Sequence, residues 1–372
     1  MRKLVWMLRE IRKGQLADRK ASNERLQECD DLFSALDNGL SGVASDEALQ
    51  EAMTSGDFTY AIQEFVSRKA LPAYQRKQFN FEPLVMPDTV TNYMPVTRYQ
   101  NRSGVDDMEW VGEKATARPG YVRDATKRQW QVWRWEKQFD FSQEAIKNDD
   151  IGYFENTAEL MGQAARRTLE RFVSRMYRNA TSILRLTSQG ALYSQNGRIT
   201  TARISEARMA FNQRTDANGD PINAQLKYIV HHSGLTDAIA QIQASTLVPE
   251  LATNAANVVK GTFTPIEDPY IAGTAPNLPW WAFVDWRDNN IIPFVLARLE
   301  GWTGPRIVRK RSDIESVTAL LGPGAAVEPA MGDFDTGNIV LKVTDVFGTY
   351  VDGTEGNLVD YRGAYYSSGT AM

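Results

Sequence analysis

QWQVWRWEKQFDF, residues 129–141, sets three tryptophans within six positions. Taken by twos, Trp133, Trp135, Phe139 and Phe141 share one face with Lys137, while Arg134, Glu136, Gln138 and Asp140 share the other. That is the period of a β-strand with one side covered and the other wet. Such a strand needs a large apolar partner, and the flanking sequence offers none of obvious size. What covers those rings decides the architecture.

Working outward, residues 98–141 read as two long strands joined by a polar, glycine-containing loop. The first strand centres on MEWVGE (108–113), the second is the tryptophan run, and TARPGYVRDATKR (116–128) lies between. Pro83, Pro87 and Pro95 among alternating residues make 79–100 an extended arm. Upstream, DFTYAIQEFVSRKALPAY (57–74) has helical spacing and is stopped by Pro72, and GLSGVAS (39–45) is the softest point of a polar linker. A two-stranded ribbon is marginal alone in water. Its aromatic face is covered either by a neighbouring subunit or within a closed sheet of its own domain.

Downstream, Ile151, Phe154, Ala158, Met161, Ala165, Leu169, Phe172, Val173, Met176 and Tyr177 recur in steps of three and four. This predicts a helix of about 30 residues, a rod of roughly 45 Å. Asp149, Asp150, Glu155 and Glu159 gather at its start, and Arg166, Arg167, Arg171, Arg175 and Arg178 at its end, which suits the helix dipole. The series Arg167, Arg171, Arg175, Arg178 either tracks a phosphate backbone or forms a salt-bridged wet face with Glu170. Beyond Gly190, ISEARMAFNQR and GLTDAIAQIQA read as helices and KYIVHH as a buried strand. The last third is β-rich: WWAFVDW, IIPFVLARLEGW, PRIVRK, NIVLKVTDVFGTYVD and NLVDYRGAYYS. The class is therefore α+β.

Composition narrows the function. The chain has 372 residues, a net charge of −4 and one cysteine, Cys29, so no internal disulfide forms and a coat of basic charge is excluded. No stretch is apolar enough to span a membrane. Residues 1–20 hold seven basic and two acidic groups on a helical pattern with Leu4, Met7, Leu8 and Ile11. That helix docks on its own domain, reaches a neighbouring subunit or faces polyanion; it is not a secretory signal. Only two histidines occur, His231 and His232, adjacent on a strand and so on opposite faces, a strand-end role rather than a metal pair. Cys29 sits beside acids, which keeps its thiol protonated. Asp216, Asn218 and Asp220 imitate a calcium loop, but Pro221 and Lys227 stand where glycine and glutamate belong, so DANGDP is a turn. No enzyme, cofactor or metal centre is expected.

The order of parts resembles the major capsid proteins of tailed bacteriophages with the Hong Kong 97 type fold. The wording is similar to the Mu-like head-subunit branch in ISEARMAFNQRTDANGDPI (204–222), KYIVHHSGL (227–235), VVKGTFTPIEDPYIAG (258–273), WWAFVDWRD (280–288), FVLARLEGWTGPRI (294–307) and VDYRGAYYSSGT (359–370). The resemblance implies an N-terminal arm (1–97), an E-loop hairpin (98–141), a peripheral domain (142–200 and 301–345) and an axial domain (201–300 and 346–372). It implies subunit contacts at Trp110, Trp133, Trp135 and Phe139, and DNA facing Arg167, Arg171 and Arg175. The implied assembly is a virion shell of hexamers and pentamers around double-stranded DNA, with portal and scaffolding partners, built in the host cytoplasm without a membrane. An encapsulin-like nanocompartment is the alternative. With the chain starting at Met1, no large cleaved scaffold domain is expected, and Lys114 in the hairpin has no identifiable cross-linking partner.

Overall fold

The computed structural model describes residues 70–101, 108–119, 125–141, 151–216, 219–250, 255–287, 291–309, 339–352, 355–356 and 358–370. The basic segment 1–20, Cys29, the GLSGVAS linker, most of 57–74, and Asp149 with Asp150 lie outside the described residues. In chain order the strands are β1 (Val85–Val90), β2 (Val96–Asn101), β3 (Ala125–Phe141), β4 (Ser194–Gln195), β5 (Tyr228–His231) and β6 (Thr264–Glu267). They continue with β7 (Trp280–Phe283), β8 (Phe294–Leu299), β9 (Arg306–Arg309), β10 (Ile339–Asp352), β11 (Glu355–Gly356) and β12 (Ala364–Ser367). The helices are α1 (Ile151–Arg178), α2 (Ala180–Thr187), α3 (Thr201–Asn212) and α4 (Thr236–Ala244). The α+β class expected from the sequence is the class observed, and the order of hairpin strand, long helix, mixed region and returning strand follows the Hong Kong 97 type pattern.

The described residues fall into two compact units, one drawn from 77–134, 167–303 and 346–370, the other from 70–76, 135–166 and 304–345. In the first unit, one sheet runs β1-β8-β10-β3-β2. β1 lies parallel to β8, Val85 opposite Phe294 and Val90 opposite Leu299. The extended arm expected at 79–100 is thus two sheet strands. Pro87 is tolerated because β1 is an edge strand, where a missing N–H costs no ladder bond. β2 is the antiparallel partner of β3, Val96 opposite Trp130 and Asn101 opposite Ala125. This corrects the hairpin: its outgoing limb is 96–101, and MEWVGE is not a strand. Both segments have strand-like patterning, and backbone pairing with β3 selects the nearer one.

The core of this sheet is formed by Val90, Trp130, Val132, Val295, Ala297, Val346, Tyr350 and Val359. Gly348 lets β10 and β3 meet, since a Cβ there would lie 1.8 Å from the Gln131 carbonyl oxygen.

The second sheet runs β4-β12-β7-β5-β6. Tyr228–His231 and Trp280–Phe283 are buried at every position. Such continuous runs occur where both faces are covered. On one side Ile229, Trp280 and Ala282 join Ile204, Phe211, Ile239 and Ile242 of α3 and α4. On the other, Trp281 and Phe283 meet the Tyr177 ring of α1 with centroids 5.2 and 5.7 Å apart. The stripe predicted for α1 is buried at Leu169, Val173, Met176 and Tyr177. Asn179 ends α1 by turning extended and capping α2 through Ser182 N, 2.7 Å from its Oδ1.

In the second unit, Ala158 and Met161 of α1 are buried. A Cβ at Gly162 would lie 2.1 Å from the Ala70 carbonyl oxygen. Residues 70–75 are helical, so Pro72 stands inside a helical turn rather than ending one. Its fixed φ fits that geometry, and only one donor is lost. β9 pairs with β10, Leu341 opposite Arg309 and Thr344 opposite Arg306. Glu136 accepts from Thr344 Oγ1 at 3.1 Å and pairs with Lys342 Nζ at 3.1 Å.

Candidate subunit-contact and DNA-facing surfaces

β3 carries the first group of candidate residues. Trp133 is half-buried, its ring edge-on to Phe172 of α1 at 6.4 Å, and Phe172 in turn meets Phe347 at 5.2 Å. Trp135 and Phe139 are half-buried, and the Phe141 side chain lies outside the described residues. The other face differs from the wet side expected by parity. Trp130 is 4% exposed and Val132 1%, and Arg128 is buried with Nη1 donating to Tyr350 Oη at 3.0 Å. The cause is position: at 128–132 β3 lies between β10 and β2, with the sheet core on its even side. Trp130, the first tryptophan of the opening run, was a signal that this face is apolar at its root.

Trp110 is the reverse case. It is 91% exposed, its neighbour Met108 fully so, and Val111 is exposed as well. They sit before a turn in which Ala115 N donates to Gly112 O at 3.0 Å and Lys114 takes φ 64°. An indole left in water forgoes a large burial gain. Within the described residues that burial is not made.

Arg167, Arg171 and Arg175 are all exposed along α1, a row in steps of four. Arg171 lies 5.5 Å from the Tyr270 ring centroid, and Arg178 Nε donates to Ser174 Oγ at 2.7 Å. Glu170, expected as their surface partner, is fully buried. Its Oε1 accepts from the backbone N–H of Gln78 and Phe79 at 3.1 and 3.3 Å, and its Oε2 from Tyr270 Oη at 3.0 Å. Asp268 is a second buried carboxylate, accepting from Ser174 Oγ, Tyr177 Oη and, at 2.8 Å, Tyr270 N. Burial first, and then the Asp268 charge, push the Tyr177 hydroxyl well above its usual range. Burial and the Glu170 charge push Tyr270 up to about 12. These carboxylates tie distant segments to α1, a structural task that spacing alone did not announce.

Among the described residues, the side chains singled out for possible chemistry make structural contacts. His231 is buried, and desolvation lowers its pKa. His232 accepts from Gly234 N at 2.8 Å as a cap. Asp216 Oδ1 accepts from Asp220 N at 3.0 Å, so the calcium-like stretch closes on itself as a turn. Among the described residues no His, Cys, Asp and Glu cluster is placed to hold a metal. Among them too, no helix is long and apolar enough to cross a membrane.

No curated protein matches the sequence. Similar solved structures include the capsid of an empty GTA particle, 10% identical, covering 80% of this chain and 91% of that one with a TM-score of 0.48. Microbacterium phage Oxtober96 is similar at 10% identity, 78% and 90% coverage and a TM-score of 0.46. Cyanophage P-SCSP1u, by its capsid structure, is similar at 9%, 79%, 88% and 0.44. A family model described as phage capsid protein matches residues 125–367, from the start of β3 to the end of β12. The chain therefore belongs to the phage capsid protein family and is a structural subunit of a phage shell.

Proposed function

We propose that the protein is the major head subunit of a tailed phage or prophage of the Mu-like branch. Copies close an icosahedral shell of hexamers and pentamers around non-specifically held double-stranded DNA. Portal and scaffolding proteins assist, and assembly takes place in the host cytoplasm. Residues 98–141 serve as the E-loop, 142–200 with 301–345 as the peripheral domain, and 201–300 with 346–372 as the axial domain. Trp110, with the half-buried Trp133, Trp135 and Phe139, lies at contacts between copies, and Arg167, Arg171 and Arg175 face the packaged DNA. The Mu-like motifs support the branch. The observation that carries the assembly reading is the 91% exposure of Trp110 in a chain of the capsid family. A nanocompartment would use the same kind of assembly, but the family match favours the phage shell.

Electron microscopy of the purified protein with sedimentation tests this. Closed shells, or rings of five and six, are expected. A chain that stays monomeric even when co-expressed with its scaffolding protein overturns the proposal.

A further inference from the structure

Two features of the hairpin complement each other. The first is a sheet edge. β2 borders its sheet, and its six residues, VTRYQN, pair on one side with β3. Other borders in the same unit are guarded: β1 carries Pro87, β6 carries Pro265, and β4 has two residues. Proline and shortness are the usual means of blocking strand addition at an edge. β2 has neither. Beside it Tyr99 is 73% exposed, and Met94 and Tyr93 are exposed too.

The second feature is a segment that lies outside the sheets. Residues 108–112, MEWVG, set the apolar Met108 and Trp110 two apart and pair with no strand among the described residues. After the turn, 115–119 runs back past them, Arg118 Nη1 reaching Glu109 Oε2 at 3.6 Å. Among the described residues, Ala115 N to Gly112 O is the sole backbone bond between these arms. Met108 and Trp110, two apart and so on one side of an extended chain, are both exposed.

We infer that residues 108–112 of one copy add as a strand to the outer edge of β2, which has no strand partner among the described residues, in a neighbouring copy, with Trp110 beside Tyr99. Strand addition satisfies backbone groups on both partners at once, and the side chains on the shared face set the register. The register that places Trp110 against Tyr99 covers the two most exposed aromatic rings of the described chain. Donor and acceptor are different segments, so the contact is heterologous and each copy both gives and receives. This is the arrangement a ring or shell requires. The inference rests on the assembly proposed above and names its hairpin contact.

Hydrogen exchange on the unaltered protein tests it, comparing free subunits with assembled particles. Amides of 96–101 and of 108–112 are expected to exchange at least about tenfold more slowly in particles. A second measurement uses a Cys29→Ser chain that keeps Tyr99 and Trp110 and carries Arg98→Cys with a cysteine placed in turn at Glu109 and Val111. Oxidation of particles is expected to give covalent multimers at one of the two positions, the one that lies opposite 98 in the paired strands. Particles that form but show neither protection nor multimers overturn the strand pairing and leave the shell reading standing. Failure of the unaltered chain to assemble at all overturns both.

Discussion

At the residue scale, exposure separates two tryptophans that the sequence treats alike. Trp133 packs on Phe172 within its own chain, so Trp133→Ala is expected to cost the subunit about 2 kcal/mol in denaturant unfolding. Trp110→Ala, at a site 91% exposed, is expected to leave subunit unfolding within about 0.5 kcal/mol and to reduce assembly. Equal stability loss at both sites would argue against this division. The tyrosines supply a pH prediction. Tyr177, Tyr270 and Tyr365 are each raised above the ordinary value of 10.0, chiefly by burial, Tyr270 to about 12. Their protons are held longer in the folded state than in the unfolded one. That stability is fully present below pH 10 and is lost as pH rises through about 12. Phenolate absorbance is expected to show an ordinary group near pH 10 and a late group that ionises as the fold opens. One step near 10, with the fold intact, would contradict it.

At the scale of elements, Gly348 is where β10 crosses close to β3. Gly348→Ala sets a methyl against the Gln131 carbonyl and is expected to cost about 3 kcal/mol or to prevent folding. Native thermal stability in that variant would show that the two strands can part without penalty. α1 was legible in full because its apolar stripe keeps helical period over many turns; KYIVHH was legible as a buried strand, and WWAFVDW as β, from their short apolar runs. The hairpin was legible only in part. Residues 96–101 and 108–113 both alternate, and the choice between them lies in backbone bonds to β3, which do not depend on side-chain type.

For the whole molecule, the exposed row Arg167, Arg171 and Arg175 gives a test of DNA contact. Replacing all three with Gln is expected to weaken binding to any double-stranded sequence and lower the salt dependence of log K by about 3. A salt slope unchanged from the parent would place DNA on another surface.

The sequence by itself determined the α+β class, the long helix, nearly every strand of the last third and, through its ordered motifs, the capsid resemblance. All of these depend on local periodicity or local wording. Tertiary structure alone decided which polar groups go inside. Glu170 reads as a surface acid, yet it is fully buried, as are Asp268 and Asp360. Their partners are the N–H groups of Gln78 and Phe79, Ser174 with Tyr177, and Arg362 at 2.8 Å. It also decided that β3 is covered on its even face near Trp130 while Trp110 is left in water. Alternation states that two faces differ, but what covers each face depends on strands hundreds of residues away.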